Sequence, residues 1–94
     1  LAPPSGLETT RTTLTFVWNP LKGASDYRLI VVSPAFKWIE SYLLDTVVET
    51  CRFTLDLPEG EYEWTVRGLN SAYESRDTIS FFRVISPEEG GTEP

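Results

Sequence analysis

Residues 57–70 read Leu57-Pro58-Glu59-Gly60-Glu61-Tyr62-Glu63-Trp64-Thr65-Val66-Arg67-Gly68-Leu69-Asn70, which is a turn followed by an alternating segment. The Pro-Glu-Gly triplet at 58–60 is typical of a tight turn, because Pro pre-sets φ and Gly tolerates conformations that other residues avoid. In the strand that follows, side chains alternate between two faces. One face carries large apolar side chains and the other carries charged ones, so the segment predicts a strand with one face in a core and one in water.

The position of Tyr62, just past a turn between two strands, is that of the tyrosine corner of β-sandwich domains. In this arrangement the ring is buried while the hydroxyl bonds to backbone a few residues upstream. We expect the Tyr62 hydroxyl to bond a backbone group within residues 56–59.

Alternation elsewhere in the chain predicts further short strands and no helix. The lead-in 1–7 suits an edge strand or a linker, and the other expected strands are 12–18, 27–33, 43–49, 51–57 and 78–85. Between them we predict an irregular connection at 34–41 and a polar loop at 70–77. About seven strands with turn signals roughly every 8–12 residues indicate an all-β, immunoglobulin-like, antiparallel β-sandwich. A small closed barrel is the weaker alternative, because it does not require an inward Trp on the second strand and a corner Tyr on the sixth.

The shared parity of the apolar residues predicts one core between two sheets. Its expected members are Trp18, Tyr27, Leu29, Phe53, Leu55, Tyr62, Trp64 and Val66, of which Trp18, Tyr27, Tyr62 and Trp64 are the main structural residues. Cys51 shares the parity of Phe53, so we interpret it as a small buried residue rather than a reactive thiol. In the last strand we assign Phe82 and Val84 to the core and leave Arg83 in water.

Composition limits the size and the partners of the protein. Ninety-four residues make one domain, which we place at 1–86, followed by an acidic Glu/Gly/Pro tail at 87–94 that we expect to be flexible. The formal net charge of −6 argues against nucleic acid and against anionic membrane surfaces. No apolar run reaches the roughly 18 residues of a membrane span, so we expect no membrane insertion of this segment. The chain starts at Leu1 and has no Met, which indicates an excised domain or a processed product.

The reactive residues of the chain predict no catalytic site. There is no His and only one Cys, so a zinc ligand set and a base for a Ser or Cys nucleophile are both lacking. Glu59, Glu61 and Glu63 cluster, but we interpret them as a solvated face, with cross-strand pairing to Arg28. No Gly-rich phosphate cradle occurs. We therefore predict a protein that is not an enzyme, with no catalytic residue, no metal and no cofactor.

The order of these motifs resembles that of a fibronectin type III domain over residues 1–86. The matching positions are Pro3, Gly6, Leu14-x-Phe16-x-Trp18, Asn19-Pro20, Tyr27-Arg28-Leu29, Phe53-x-Leu55-x-Leu57 and Tyr62-x-Trp64-x-Val66-Arg67-Gly68-x-Asn70. Within that superfamily, the sequence of these segments is similar to that of fibronectin-like modules in surface lipoproteins from gut Bacteroidetes. The resemblance implies a spacer or adaptor in a secreted or cell-surface bacterial protein, extracellular or associated with the outer membrane, with the periplasm as a further option.

A binding surface is expected on the far face of the strand at 27–33. Ile30 and Val32 point away from the core, and Phe36 and Trp38 follow in the next connection. We expect residues 34–42 to fold back over Ile30 or Val32, forming an apolar patch for a neighbouring domain or a protein partner.

The alternative function is polysaccharide binding, since exposed aromatic rings stack on sugars. Its candidate residues are Trp38, Tyr42 and Tyr73. A third interpretation of Trp38 is purely structural: the ring caps the sandwich edge or packs on Ile30 and Val32. A strip of coplanar, exposed aromatic rings would favour polysaccharide binding, whereas an apolar patch surrounded by charged residues would favour protein binding.

Overall fold

A computed structural model describes residues 2–69 and 79–86 of the chain. These residues form seven strands: β1 (Leu7–Thr9), β2 (Thr13–Val17), β3 (Asp26–Ala35), β4 (Trp38–Val48), β5 (Arg52–Asp56), β6 (Gly60–Leu69) and β7 (Ser80–Val84). One sheet has the order β1-β7-β6-β3-β4, and the other pairs β2 with β5. The predicted β-sandwich is confirmed. Its pairings are antiparallel except that β1 runs parallel to β7.

The core lies between the inner faces of the two sheets and is built around aromatic rings. Phe16 meets Trp64 and Phe82 edge-on, with ring centroids 5.2 and 5.8 Å apart, and Tyr62 stacks on Phe82 at 5.3 Å. Phe82 and Val84 are buried, so the register assigned to the last strand is confirmed.

The four main structural residues are all buried, as predicted. Trp18 meets Tyr27 edge-on, and the Tyr27 hydroxyl accepts a hydrogen bond from the backbone N–H of Leu21 at 2.9 Å. The Trp64 indole N–H donates to the carbonyl of Pro3 at 3.3 Å. These bonds tie the lead-in and the loop after β2 to the core.

The tyrosine corner is present as expected. The Tyr62 hydroxyl donates to the carbonyl of Pro58 at 2.5 Å, within the predicted segment. Burial raises the pKa of Tyr62, because the ionised phenolate would be poorly solvated there.

Burial is incomplete for four of the residues expected inside. Phe53, Leu55, Val66 and Cys51 pack against the core but are only half-buried, so the prediction that they are buried was wrong for them. For Phe53 and Leu55 the physical reason is that β5 is an edge strand with a neighbour on one side only. Val66 lies on β6 in the larger sheet, whose five strands are faced by only two.

The predicted irregular connection at 34–41 is wrong, because β3 and β4 form one long hairpin that turns at Phe36 and Lys37. Pro34 lies inside β3, where Pro is usually excluded because it lacks an N–H. It is tolerated because the β3–β6 ladder ends at the Val32–Glu63 pair, two residues earlier. Beyond that pair the Ser33 hydroxyl bonds instead to the carbonyl of Glu61, at 2.8 Å.

A β-bulge in β4 decides which way the neighbouring side chains point. The register passes from Val31–Leu44 to Val32–Tyr42, so Leu43 is an extra residue. Leu43 and Leu44 both pack against the core, and Tyr42 is aligned with Val32 on the outer face. Strict alternation from Leu44 would have turned Tyr42 inward, and the bulge reverses this.

Candidate interaction surface

The outer face of the five-stranded sheet holds a groove of about 300 Å³. Its lining comes from β3, β4, β6, the hairpin turn and the residue before β7: Arg28, Ile30, Phe36, Tyr42, Asp45, Thr65, Arg67 and Ile79. Part of the lining is aliphatic and aromatic, and its charged side chains are Arg28 and Asp45 of the hairpin and Arg67 of β6. Three of the residues predicted to bind a partner, Ile30, Phe36 and Tyr42, line this groove.

Each apolar side chain reaches the groove for a local reason. Ile30 lies between Asp45 and Thr65 in the two ladders of β3. Tyr42 is directed outward by the bulge at Leu43. Phe36 is held by its backbone N–H, which donates to the Glu63 carboxylate at 2.8 Å and so anchors the hairpin turn to β6.

An ion pair forms the charged side of the groove. The Arg28 guanidinium binds the Asp45 carboxylate through two hydrogen bonds of 2.8 and 2.7 Å. These bonds hold the pKa of Asp45 below its usual range and raise that of Arg28. The expected pairing of Arg28 with the glutamates of β6 is wrong, because the residue opposite Arg28 on that strand is Arg67.

The predicted binding residues differ in where the structure places them. Ile30, Phe36 and Tyr42 come together in the groove, and their role in binding stays a prediction. Val32 is 0% exposed, so its assignment to a contact surface was wrong. It lies opposite Glu63, the residue that anchors the hairpin turn. Tyr73 lies outside the described residues, as does the predicted tail at 87–94.

Trp38 is 72% exposed but does not line the groove. In the register of the hairpin it is aligned with Ala35, whereas Tyr42 is aligned with Val32. Positions three apart on a strand project to opposite faces. Trp38 and Tyr42 therefore do not form a coplanar strip, and Trp38 does not pack over Ile30 as one interpretation proposed.

Sequence reasoning did not assign five of the lining residues to a binding surface: Arg28, Asp45, Thr65, Arg67 and Ile79. Thr65 was assigned to the solvated face of β6, but it is only 7% exposed, and its hydroxyl has no hydrogen-bond partner. No signal in the sequence indicated this burial, because it depends on what packs over β6. Ile79 shares the outward parity of Phe81, which is a signal that could have identified it.

Comparison with known proteins bears on the fold. No protein-family model matches the chain, and no curated protein sequence matches it significantly. Among solved structures, the fn3 domain of the human collagen alpha-1(XX) chain is similar, with a TM-score of 0.64 and 25% sequence identity. The match covers 96% of this chain and 84% of that one. The protein thus has a fibronectin type III-like fold, which supports the general role of a structural or interaction module.

Two further properties concern the described residues alone. No helix within 2–69 and 79–86 is long and apolar enough to cross a membrane. Nor do these ranges bring three acidic or thiol side chains together in a group that could hold a metal ion.

Proposed function

We propose that this protein is a non-catalytic adaptor or spacer module of a secreted or cell-surface bacterial protein, and that its outer groove receives an apolar side chain of an adjoining protein domain. The observation that carries the proposal is an apolar groove beside a charged rim. Ile30, Phe36 and Tyr42 provide the apolar surface, and the Arg28–Asp45 pair lies beside them. Protein interfaces favour aromatic anchors surrounded by charged residues.

Polysaccharide binding is the second candidate function, and the 72% exposure of Trp38 favours it. Stacking on a sugar chain needs exposed rings that share a plane. Because Trp38 and Tyr42 are aligned with positions on opposite faces of β3, a single sugar chain could not stack on both. Protein docking is therefore the function that the geometry supports better.

The cellular setting is part of the proposal and is supported by the sequence resemblance described above. A module of this kind would hold catalytic or binding domains at a bacterial surface, as in the lipoproteins of Bacteroidetes that the motifs resemble. Expression of the parent gene with a tag on this module, followed by protease shaving of intact cells, would test the location. Protection of the tag in intact cells, with cleavage after lysis, would contradict a surface location.

The docking proposal is tested by titrating the protein with its native neighbouring domain. We expect Phe36→Ala and Tyr42→Ala each to weaken binding at least about tenfold, as for anchor residues of an interface. Trp38→Ala is the control, since it removes an exposed aromatic ring, larger than those of Phe36 and Tyr42, from the same hairpin outside the groove. Thermal melting of each variant checks that the fold is intact.

The contrary outcome separates the two candidate functions. If Phe36→Ala and Tyr42→Ala bind the neighbour as the parent protein does, the groove is not the docking site. If a glycan array then reveals binding that Trp38→Ala abolishes, polysaccharide binding replaces the adaptor function.

A further inference from the structure

The free edge of β4 is a second surface, distinct from the groove. β4 ends the five-stranded sheet, so its outer side has no neighbouring strand among the described residues. Residues 44–48 pair in unbroken register with 27–31 of β3 on their inner side. The outward backbone N–H and C=O groups of this section make no hydrogen bond to the rest of the described chain. They form a regular template for another strand.

The opposite edge of the same sheet is protected in ways that β4 is not. Proteins shield edges with short strands, Pro, Lys or bulges. β1 is three residues long and follows Pro3 and Pro4. β4 has eleven residues, and its section 44–48 contains no Pro, Lys or Arg. The bulge at Leu43 lies outside that section, and the charge of Asp45 is engaged by Arg28.

One side chain of section 44–48 lacks the neighbour that a further strand would provide. Val47 is 55% exposed. β-branched residues stabilise sheets by packing against cross-strand partners, and among the described strands Val47 has such a partner only on β3, where it is aligned with Arg28. A strand added along 44–48 would cover Val47 from the other side.

We propose that residues 44–48 bind an extended segment of a partner polypeptide by β-strand addition, and that this segment alternates apolar residues with Lys or Arg. Main-chain hydrogen bonds would supply affinity, and the alternating side chains would supply specificity. The charge of the partner follows from the edge itself. Residues 38–49 contain Glu40 and Glu49 besides Asp45, which is paired with Arg28, and they contain no Lys or Arg; the chain has a net charge of −6. A basic segment is attracted to this edge, whereas a second copy is repelled.

This inference does not depend on the groove, because it uses the backbone of β4 rather than the outer face of β3. Phe36→Ala removes a groove side chain and leaves residues 44–48 unchanged. Failure of the docking proposal would therefore leave strand addition intact, and the reverse also holds.

The experiment uses a synthetic octapeptide in which lysine and valine alternate, added to the isotopically labelled protein. Two control peptides test strand character and charge: one has a central valine replaced by proline, and the other has glutamate in place of lysine. We expect the first peptide to bind at least about tenfold more tightly than either control. We also expect it to slow the hydrogen exchange of alternate amides within 44–48, since those N–H groups acquire acceptors.

A pair of charge-matched variants locates the site. Val47→Lys places a Lys on the edge and should weaken peptide binding at least about fivefold. Val17→Lys adds the same charge to an exposed position of β2, in the other sheet, and so corrects for the change in net charge. Weakening by Val47→Lys alone supports the edge as the site.

Three outcomes would overturn the proposal. One is equal binding of the proline-containing peptide, which would indicate charge attraction alone. Another is binding without any slowing of exchange within 44–48. The third is slowing that grows with protein concentration in the absence of peptide, which would make a second copy the occupant.

Discussion

The two faces of β3 show how side-chain direction and burial differ. On the inner face Tyr27, Leu29 and Val31 are all buried, because the β2–β5 sheet lies opposite. On the outer face, exposure falls along the strand: Arg28 is exposed, Ile30 is half-buried and Val32 is fully buried. Parity predicted the face of every one of these residues. Burial on the outer face therefore increases towards the hairpin turn, where the backbone N–H of Phe36 is bonded to the Glu63 carboxylate.

The largest effect is expected at the centre of the inner face. Trp64→Ala removes a buried ring that meets Phe16 edge-on and donates to Pro3. We expect a loss of about 3–5 kcal/mol of unfolding free energy, because the cavity cannot be refilled by rigid neighbours. Chemical denaturation measures the loss. A loss below about 1 kcal/mol would contradict the assignment of Trp64 to the core.

On the outer face of the sheet, truncation of a valine should lower the stability of the fold at Val32 but not at Val47. Val32→Ala removes two fully buried methyl groups and should cost about 2–3 kcal/mol, including the cavity. Val47→Ala, the same change at an exposed outer position, should stay within about 0.5 kcal/mol. The two melting curves form a direct comparison. Equal effects would contradict the full burial of Val32.

The tyrosine corner is expected to have a somewhat smaller effect. Tyr62→Phe keeps the ring and removes the hydrogen bond to the carbonyl of Pro58. The cost should be about 0.5–1.5 kcal/mol, because the hydrogen bond is part-buried and Pro58 is exposed, so water can reach the carbonyl. Denaturation at neutral pH measures it, and an unchanged stability would show that water replaces the hydroxyl without loss.

The pH dependence of the same pair of proteins provides an independent check. The folded-state pKa of Tyr62 is raised above its ordinary value of 10.0. Its contribution to stability is therefore complete below pH 10.0 and is lost as the pH rises towards the folded-state pKa. We expect the parent protein to lose stability more steeply above this pH than Tyr62→Phe does. Parallel curves would contradict the raised pKa.

The smallest effect concerns the ion pair on the outer face. The Arg28 guanidinium lowers the pKa of Asp45 below 3.8, so the pair favours folding above that pH and loses its effect as the pH falls through the folded-state pKa. Both groups are exposed, so we expect no resolved change in the melting temperature on Arg28→Gln at neutral pH. Instead, the Asp45 carboxyl, followed by NMR, should titrate closer to 3.8 in that variant. An unchanged midpoint would contradict the pairing.

The candidate site was predictable only in part, and its residues show why. Ile30 and Phe36 were expected on one surface from parity and from their closeness in sequence, and both line the groove. Thr65 was missed because its burial depends on segments distant in sequence. Trp38 was grouped with these residues because its connection was expected to be irregular. In the hairpin its place is set by pairing with Ala35.

By itself, the sequence determined the sandwich class, the tyrosine corner, the inner faces of the strands and the register of β7. These features follow from turn chemistry and alternation, which act between residues close together in the chain. The tertiary structure alone decided the extension of β3 through Pro34, the bulge that turns Tyr42 outward, the burial of Val32 and the free edge of β4. The physical reason is that strand pairing and coverage are set by contacts between distant segments. A single extra residue such as Leu43 reverses the face of the side chains that precede it without altering the local pattern of the sequence.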